Sequence, residues 1–308
     1  MEYFLENDLL KVTVNSLGAE VTSVVAKASG QELWWCGDAA FWKGHSPILF
    51  PACGGLWNGE YRLDGKPLKM QKHGFAKFME FEKTEDTLLG ENDFSISLTL
   101  CDNEETMKSF PFRFRLTITY TLRESVLECD AEVTNLTEGH TMHYQLGGHP
   151  AIALPDYAPD EEIIGYLAPC NMRTDNLSVV RAGEQGCWGP ERFKPKTDEQ
   201  GLIPISVETF ANEALIFDNS QFQSMIIYRA DGETELAEVY FDAPVCLVWQ
   251  MTGLLCPYVC VEPWFGLCDR QGYTMDLDYR PYSQHAMEGD TNSHFLWGIN
   301  FVLQDCSD

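Results

Sequence analysis

Strict period-two alternation constrains this chain more than any other feature. In residues 110–135, "FPFRFRLTITYTLRESVLECDAEVTN", Phe112, Phe114, Leu116, Ile118, Tyr120 and Leu122 point one way, and Arg113, Arg115, Thr117, Thr119 and Thr121 the other. Only a strand with one buried face has this period. The pattern resumes with Leu127, Cys129, Ala131 and Val133 set against Glu128, Asp130 and Glu132, so the intervening "RES" reads as a hairpin turn. Similar runs occur in "LLKVTVNSLG", "FSISLTLC", "SMIIYR", "VCLVWQM", "YVCVEPW" and the final "HFLWGINFVL". No stretch holds apolar residues at helical spacing with comparable regularity. The chain is therefore expected to be all-β, a large antiparallel sandwich or barrel-like stack. Without a Pro/Ser-rich linker, a charge block or a fixed-period repeat, residues 1–308 read as a single domain. The least regular part, about residues 155–205, reads as a long excursion from the sheet.

Charge narrows the partners. Lys and Arg number 21 against 47 Asp and Glu, a formal net charge of -26. Such a field repels phosphate backbones and anionic lipid, so neither a nucleic-acid nor a membrane partner is expected. It also disfavours an anionic substrate unless a local basic pocket overrides the average. The opening "MEYFLENDLLKV" has neither a basic n-region nor an apolar h-region, and no apolar run approaches the roughly 20 residues of a membrane helix. A cytoplasmic protein is the expectation. The 11 cysteines lack a repeated spacing, and Cys101, Cys129, Cys246 and Cys260 sit in strand-like runs, as buried thiols of a reducing compartment would.

Three residues stand out by context: His73 in "MQKHGFAKF", His149 in "QLGGHPAIAL" and Glu262 in "YVCVEPWFG". An acid ending an apolar strand, flanked by Val259, Val261 and Trp264, is a candidate base with a raised pKa. His149 and Glu262 each precede a proline, which restricts both to extended backbone. That suits groups held in place, and equally suits ordinary turns. No metal is expected: His140, His143 and His149 with Cys256 and Cys260 lack the spacing of a zinc site. No cofactor is expected either, since no glycine-rich loop opens a helix, and no G-x-S-x-G elbow suggests a serine hydrolase. The "CGG" at 53–55 reads as a turn rather than a nucleophile. Trp34, Trp35, Trp42, Trp57, Trp249 and Trp264 could offer platforms for sugar rings, although most tryptophans of a sandwich are core.

Taken in order, "FPACGG", "HGFAK", "GGHPAI" and "VEPWFG" resemble the aldose 1-epimerase (galactose mutarotase-like) family, in particular its bacterial LacX-like branch. The resemblance runs nearly the whole length. It implies a galactose mutarotase-like β-supersandwich whose concave face holds a sugar, a small-molecule substrate. It further implies that His149 is general acid, Glu262 general base, and His73 a hydrogen-bond partner of the sugar. In that chemistry the base takes the proton of the C1 hydroxyl while the acid protonates the ring oxygen, the C1–O5 bond opens, and the aldehyde recloses on its other face. The acid and base are expected on opposite sides of the two oxygens, with burial or mutual attraction lifting the imidazole's pKa.

The chain departs from the family pattern in places. Gly55 stands where an arginine is usual, and Lys77 where arginine is common. The family's substrate-binding aspartate has no clear match, with Glu213 and Asp218 both open. A free aldose is the leading substrate. The alternatives are a hexose 6-phosphate, against which Gly55 and the acidic composition argue, and a non-catalytic carbohydrate-binding protein of the same fold.

Overall fold

Each of the alternating segments becomes a strand in the computed structural model, which describes residues 1–90 and 92–303. Leu116, Ile118 and Leu122 are fully buried on one face of Phe114–Arg123, whereas Arg113 and Arg115 point to solvent. The hairpin to Val126–Asn135 closes with Val126 opposite Arg123, so the turn is Glu124–Ser125, with Glu124 at φ 48°. Arg123 belongs to the strand.

All strand ladders are antiparallel. A nine-stranded sheet runs in the order Ile203–Pro204, Tyr166–Cys170, Ser224–Tyr228, Glu235–Phe241, Thr291–Phe301, Val126–Asn135, Phe114–Arg123, Phe94–Cys101, Glu82–Leu88. A four-stranded sheet holds the N-terminal strands Glu2–Glu6, Leu10–Asn15, Glu20–Ala26 and Gln31–Glu32. A six-stranded sheet is built on Tyr258–Phe265, which pairs with Leu146–Gly147 and Ala151–Ala153 on one side and Val245–Trp249 on the other. Leu215–Phe217 and Val180–Arg181 complete it. One core cluster spans these layers, joining Val12 and Val14, Leu116 and Ile118, and Val259 and Val261. No helix among the described residues is long and apolar enough to cross a membrane.

Residues 155–205 are no excursion. They supply strands at the margins of both large sheets: Ile203–Pro204 as the edge and Tyr166–Cys170 beside it in one, Val180–Arg181 as the edge of the other. Strands this short, interrupted by proline and glycine, carry too few alternations to be read as strands. A second correction concerns Cys101, which is exposed at its strand end, whereas Cys129, Cys246 and Cys260 are buried as expected.

Tyr258–Phe265 is the strand that places the site. Every one of its residues is buried, because both faces of the sheet are covered there. Val259, Val261 and Phe265 enter the main core, while Cys260 and Trp264 enter separate clusters on the opposite face. Glu262 lies on that opposite face, so Val259 and Val261 do not line its surroundings as the sequence had suggested. Its cross-strand neighbour on one side is Leu247.

Candidate active site

The register explains why the chain carries "HP" and "EP". Gly147 pairs with Trp264 and Ala151 with Cys260, so counting in from both ends sets His149 opposite Glu262. The flanking bonds run from Gly148 N–H to the Pro263 carbonyl, 3.0 Å, and from Val261 N–H to the Pro150 carbonyl, 3.2 Å. Proline has no N–H, so each flanking pair keeps one of its two ladder bonds. His149 and Glu262 occupy the non-hydrogen-bonded position between them, where side chains of opposed strands come closest. Nε2 of His149 lies 3.2 Å from Oε1 of Glu262. The two groups therefore stand side by side on one wall, rather than on opposite sides of a substrate's oxygens.

The remaining surroundings are largely apolar. Trp42 stacks on the His149 ring at 4.8 Å between centroids, and Trp249 meets it edge-on at 5.8 Å. Glu262 has no exposed surface, and His149 is 6% exposed. Neither carboxylate oxygen of Glu262 nor Nδ1 of His149 has a hydrogen-bond partner among the described residues. Burial drives the Glu262 carboxyl well above its ordinary range, only partly offset by the charge of Lys72. It drives the His149 imidazole down to about 3, with Lys72 and Lys77 adding to the effect. Desolvation thus lowers the imidazole's pKa where the sequence reading expected it raised. Together the two directions describe a neutral carboxyl beside a neutral imidazole.

His73 joins from a different segment. Its ring lies 5.6 Å from that of His149 and 5.7 Å from that of Trp264. Gly54 donates its N–H to Nδ1 of His73 at 3.1 Å, and His73 returns its own N–H to the Gly54 carbonyl at 3.0 Å. An Nδ1 that accepts carries no proton, so Nε2 holds it and is a donor. Burial keeps His73 well below the usual histidine range and hence neutral, with the charges of Lys72 and Lys77 adding to the effect. The turn is tight: His73 and Gly74 both have φ 69°, and a Cβ on Gly74 would fall 2.1 Å from the Phe50 carbonyl oxygen. Cys53, in the same loop, is buried and its thiol is pushed up by burial, in keeping with a turn residue rather than a nucleophile.

These residues line a cavity of about 350 Å³, together with Trp42, Lys72, Lys77, Glu213 and Trp249. A larger groove of about 880 Å³ along Arg181, Phe193 and Lys194 contains none of His73, His149 or Glu262. Of the two acids left open by sequence, Glu213 lines the cavity, while Asp218 is held by Arg192 at 2.9 and 2.7 Å. Of the six tryptophans considered as platforms, Trp42, Trp249 and Trp264 face the cavity, Trp34 and Trp35 are core, and half-buried Trp57 is not part of the cavity lining.

Gly55 has a local cause. A Cβ there would lie 2.3 Å from the carbonyl oxygen of Gln185 and 2.8 Å from the Gly186 backbone. The turn from Gly183 to Gly186 thus fills the space an arginine side chain would need. Asp269 fastens this arrangement: its N–H bonds to the Gly55 carbonyl, its carbonyl accepts from Trp188, and its carboxylate accepts from Trp57 N–H, each at 2.9 Å. The carboxylate is also paired with buried Arg280 at 2.8 Å. Sequence reading missed Lys72 and the turn ending at Gly186, because neither lies in a periodic segment. Only Lys72 carried a signal, its position beside the "HGFA" histidine.

Cys260 brings its sulfur into the same cluster, so that His149, Cys260 and Glu262 offer donor atoms within 4.8 Å of one another. The histidines and cysteines weighed and set aside in the sequence, His140, His143, His149, Cys256 and Cys260, form a different group from this one. Burial raises both the Cys260 thiol and the Glu262 carboxyl, so each would have to shed a proton before ligating. The chemistry of the cluster as it stands is that of proton transfer, between an acid and a base in contact on the wall of a cavity with polar atoms unsatisfied.

The comparisons with known proteins agree with this architecture. The two LacX proteins of Lactococcus lactis subsp. lactis, plasmid and chromosomal, are 29% identical over 294 residues, covering 94% of this chain and 95% of theirs. A galactose mutarotase related enzyme from Lactobacillus acidophilus superposes with a TM-score of 0.85 at 29% identity, covering 98% of both chains. A galactose mutarotase-like protein from Lactobacillus casei gives a TM-score of 0.88 at 25% identity over 98% of this chain and all of its own. The sequence profile described as aldose 1-epimerase matches residues 1–164, which include His73 and His149; Glu262 lies outside the matched segment and reaches the pair through the fold. By this match the chain belongs to the aldose 1-epimerase family.

Proposed function

We propose that the protein is an aldose 1-epimerase, with Glu262 as general base, His149 as general acid and His73 as a donor to the sugar. The observation that carries this reading is the 3.2 Å contact between Nε2 of His149 and Oε1 of Glu262, buried in the wall of a sugar-sized cavity. The hydroxyl and ring oxygens of a hemiacetal are bonded to one carbon, so a single wall bearing an acid beside a base addresses both. Transfer of the carboxyl proton to the neighbouring imidazole, 3.2 Å away, gives a carboxylate and an imidazolium without changing the proton count. Lys72 favours that ionised carboxylate, and sugar hydroxyls would satisfy the partnerless oxygens.

Glu262 then takes the C1 hydroxyl proton as His149 protonates O5, and the C1–O5 bond breaks. Rotation about C1–C2 presents the other face of the aldehyde. The same two transfers in reverse close the ring as the opposite anomer, with no net gain or loss of protons and no cofactor. The neutral Nε2–H of His73 supplies a hydrogen bond to the bound ring. Ten free cysteines among the described residues support a cytoplasmic setting for this activity.

The test is polarimetry on freshly dissolved α-D-glucose and α-D-galactose with the wild type and Glu262→Gln. Acceleration abolished by the substitution supports the reading. Sugar binding without acceleration in the wild type would assign the fold to carbohydrate binding instead.

A further inference from the structure

Cys260 has no part in the acid–base reading of the site, yet its sulfur belongs to the same cluster. Residues two apart on a strand share a face, so Cys260 and Glu262 project together from Tyr258–Phe265. The register brings His149 against Glu262 from the neighbouring segment. An imidazole nitrogen, a thiol sulfur and a carboxyl oxygen thus lie within 4.8 Å of one another, on three buried side chains.

Two features of this cluster point to a ligand. Both Glu262 oxygens and Nδ1 of His149 are buried without a hydrogen-bond partner among the described residues, and such atoms are costly unless something binds them. The spacing is also that of a coordination sphere. A tetrahedral Zn2+ with bonds of about 2.1 Å to nitrogen and oxygen and about 2.3 Å to sulfur sets N and O about 3.3 Å apart and S about 3.6 Å from either. Nε2 of His149 and Oε1 of Glu262 already stand at 3.2 Å. The sulfur, within 4.8 Å of its partners, has about 1 Å at most left to close, within reach of a side-chain adjustment.

The charges balance as well. Burial holds the Cys260 thiol and the Glu262 carboxyl protonated; as ligands they become a thiolate and a carboxylate, and two protons pass to water. Two anions and a dication sum to zero, so the complex replaces two neutral acids without adding net charge to a buried wall. Lys72 and Lys77, whose charges bear on His149 and in the case of Lys72 on Glu262, therefore meet a neutral complex rather than a bare cation. Cys256, the other thiol acting on Cys260, lies outside the ligand set. His149 and Glu262 line the cavity and Cys260 does not, so a fourth ligand, water or a sugar hydroxyl, comes from the cavity side.

We propose that His149, Cys260 and Glu262 form a binding site for a thiophilic divalent cation of the Zn2+ class, and that its binding stops the acid–base chemistry by engaging both catalytic groups. The thiolate selects zinc-like ions over Mg2+ and Ca2+, which take oxygen ligands. The inhibition rests on the epimerase reading, whereas the site itself does not.

Co2+ is the probe for the ligand set and Zn2+ the probe for inhibition. One equivalent of Co2+ should give the near-ultraviolet thiolate-to-cobalt charge-transfer band and the strong visible bands of a four-coordinate site, removed by Zn2+ and unaffected by Mg2+. Cys260→Ser should abolish the charge-transfer band. Glu262→Gln should weaken cobalt binding by more than the roughly ten-fold that even an outer partner of a metal is worth. In the polarimetric assay, saturating Zn2+ should lower wild-type kcat by about ten-fold or more and EDTA should restore it. Cys260→Ser should keep its basal rate and lose that sensitivity. Cys101→Ser, which alters an exposed thiol at a strand end, should match the wild type throughout. Absence of the charge-transfer band overturns the site. A band that persists in Cys260→Ser, or vanishes in Cys101→Ser, assigns the metal to other thiols and also overturns it. A Cys260-dependent band with undiminished turnover overturns the inhibition. The same band in a protein that accelerates no sugar sinks the epimerase and keeps the site; zinc-insensitive epimerisation without a band does the reverse. If Cys260→Ser fails to fold, Cys260→Ala takes its place and the cobalt affinity of Glu262→Gln decides.

Discussion

Nε2 of His149 and Oε1 of Glu262 meet at 3.2 Å across two strands that each surrender a ladder bond to a proline. A pair this close acts as one unit. Glu262→Gln keeps the shape of the side chain and should cost about a hundred-fold or more in kcat, the scale for losing a positioned acid or base. His149→Asn should cost a similar factor, and the double variant should be little worse than either. Polarimetric rates for the three variants check this; near wild-type turnover in Glu262→Gln would sink the mechanism.

The same substitution should reveal the buried proton through stability. The Glu262 carboxyl lies well above its ordinary value of 4.5 in the folded protein. Above that pH the unfolded chain releases its proton while the folded chain keeps it, so the unfolded state binds fewer protons and wild-type stability falls as pH rises. Glu262→Gln lacks this linkage. Its stability relative to wild type should grow from pH 4.5 toward neutrality, at up to about 1.4 kcal/mol per pH unit. Urea unfolding of both proteins at pH 5, 6 and 7 measures the gap, and a constant gap would contradict a buried neutral acid.

Activity should respond to acid unlike a solvated histidine. With the His149 imidazole held down to about 3, the pair does not take up a second proton in the ordinary histidine range. On a neutral sugar, kcat/KM should stay level from neutrality down to about pH 5. A half-point near 6.5 would mean that water reaches the ring. Trp42→Ala removes the face stacked on His149 and should move the acid limb toward that value.

Gly55 should tolerate no side chain. Alanine there would push a Cβ into the Gln185 carbonyl and the Gly186 backbone, neither of which is a flexible side-chain end. Gly55→Ala should destabilise by about 1–3 kcal/mol, and Gly55→Arg should displace the Gly183–Gly186 turn outright. A lowered Tm together with faster proteolysis at this turn is the expected outcome; unchanged values in both variants would refute the packing argument.

The sheet framework was legible because alternation is local: residues 112 to 122 announce their buried face without reference to any partner. The Tyr258–Phe265 strand was legible for its run of apolar residues, but its two faces were not. Whether Glu262 looked toward Val261 or toward His149 depended on a ladder with a segment more than a hundred residues earlier. His73, His149 and Glu262 were found through their short motifs, and the cavity collects all three. Lys72 and the Gly186 turn stayed hidden because irregular backbone has no period, and the sign of the His149 shift was misjudged because burial is a property of the assembled sheets.

Pro150 and Pro263 have one more consequence. Antiparallel strands slip in steps of two residues if side chains are to keep their faces. A step either way would bring His149 against Cys260 or Trp264, and would also confront each proline with a new carbonyl that it cannot serve. The distance between acid and base is thus not a continuous variable that distant substitutions can tune. Variants that loosen the outer strands should divide into molecules with the pair fully made and molecules with none, so that partial activity in a damaged preparation counts intact copies rather than weakened ones.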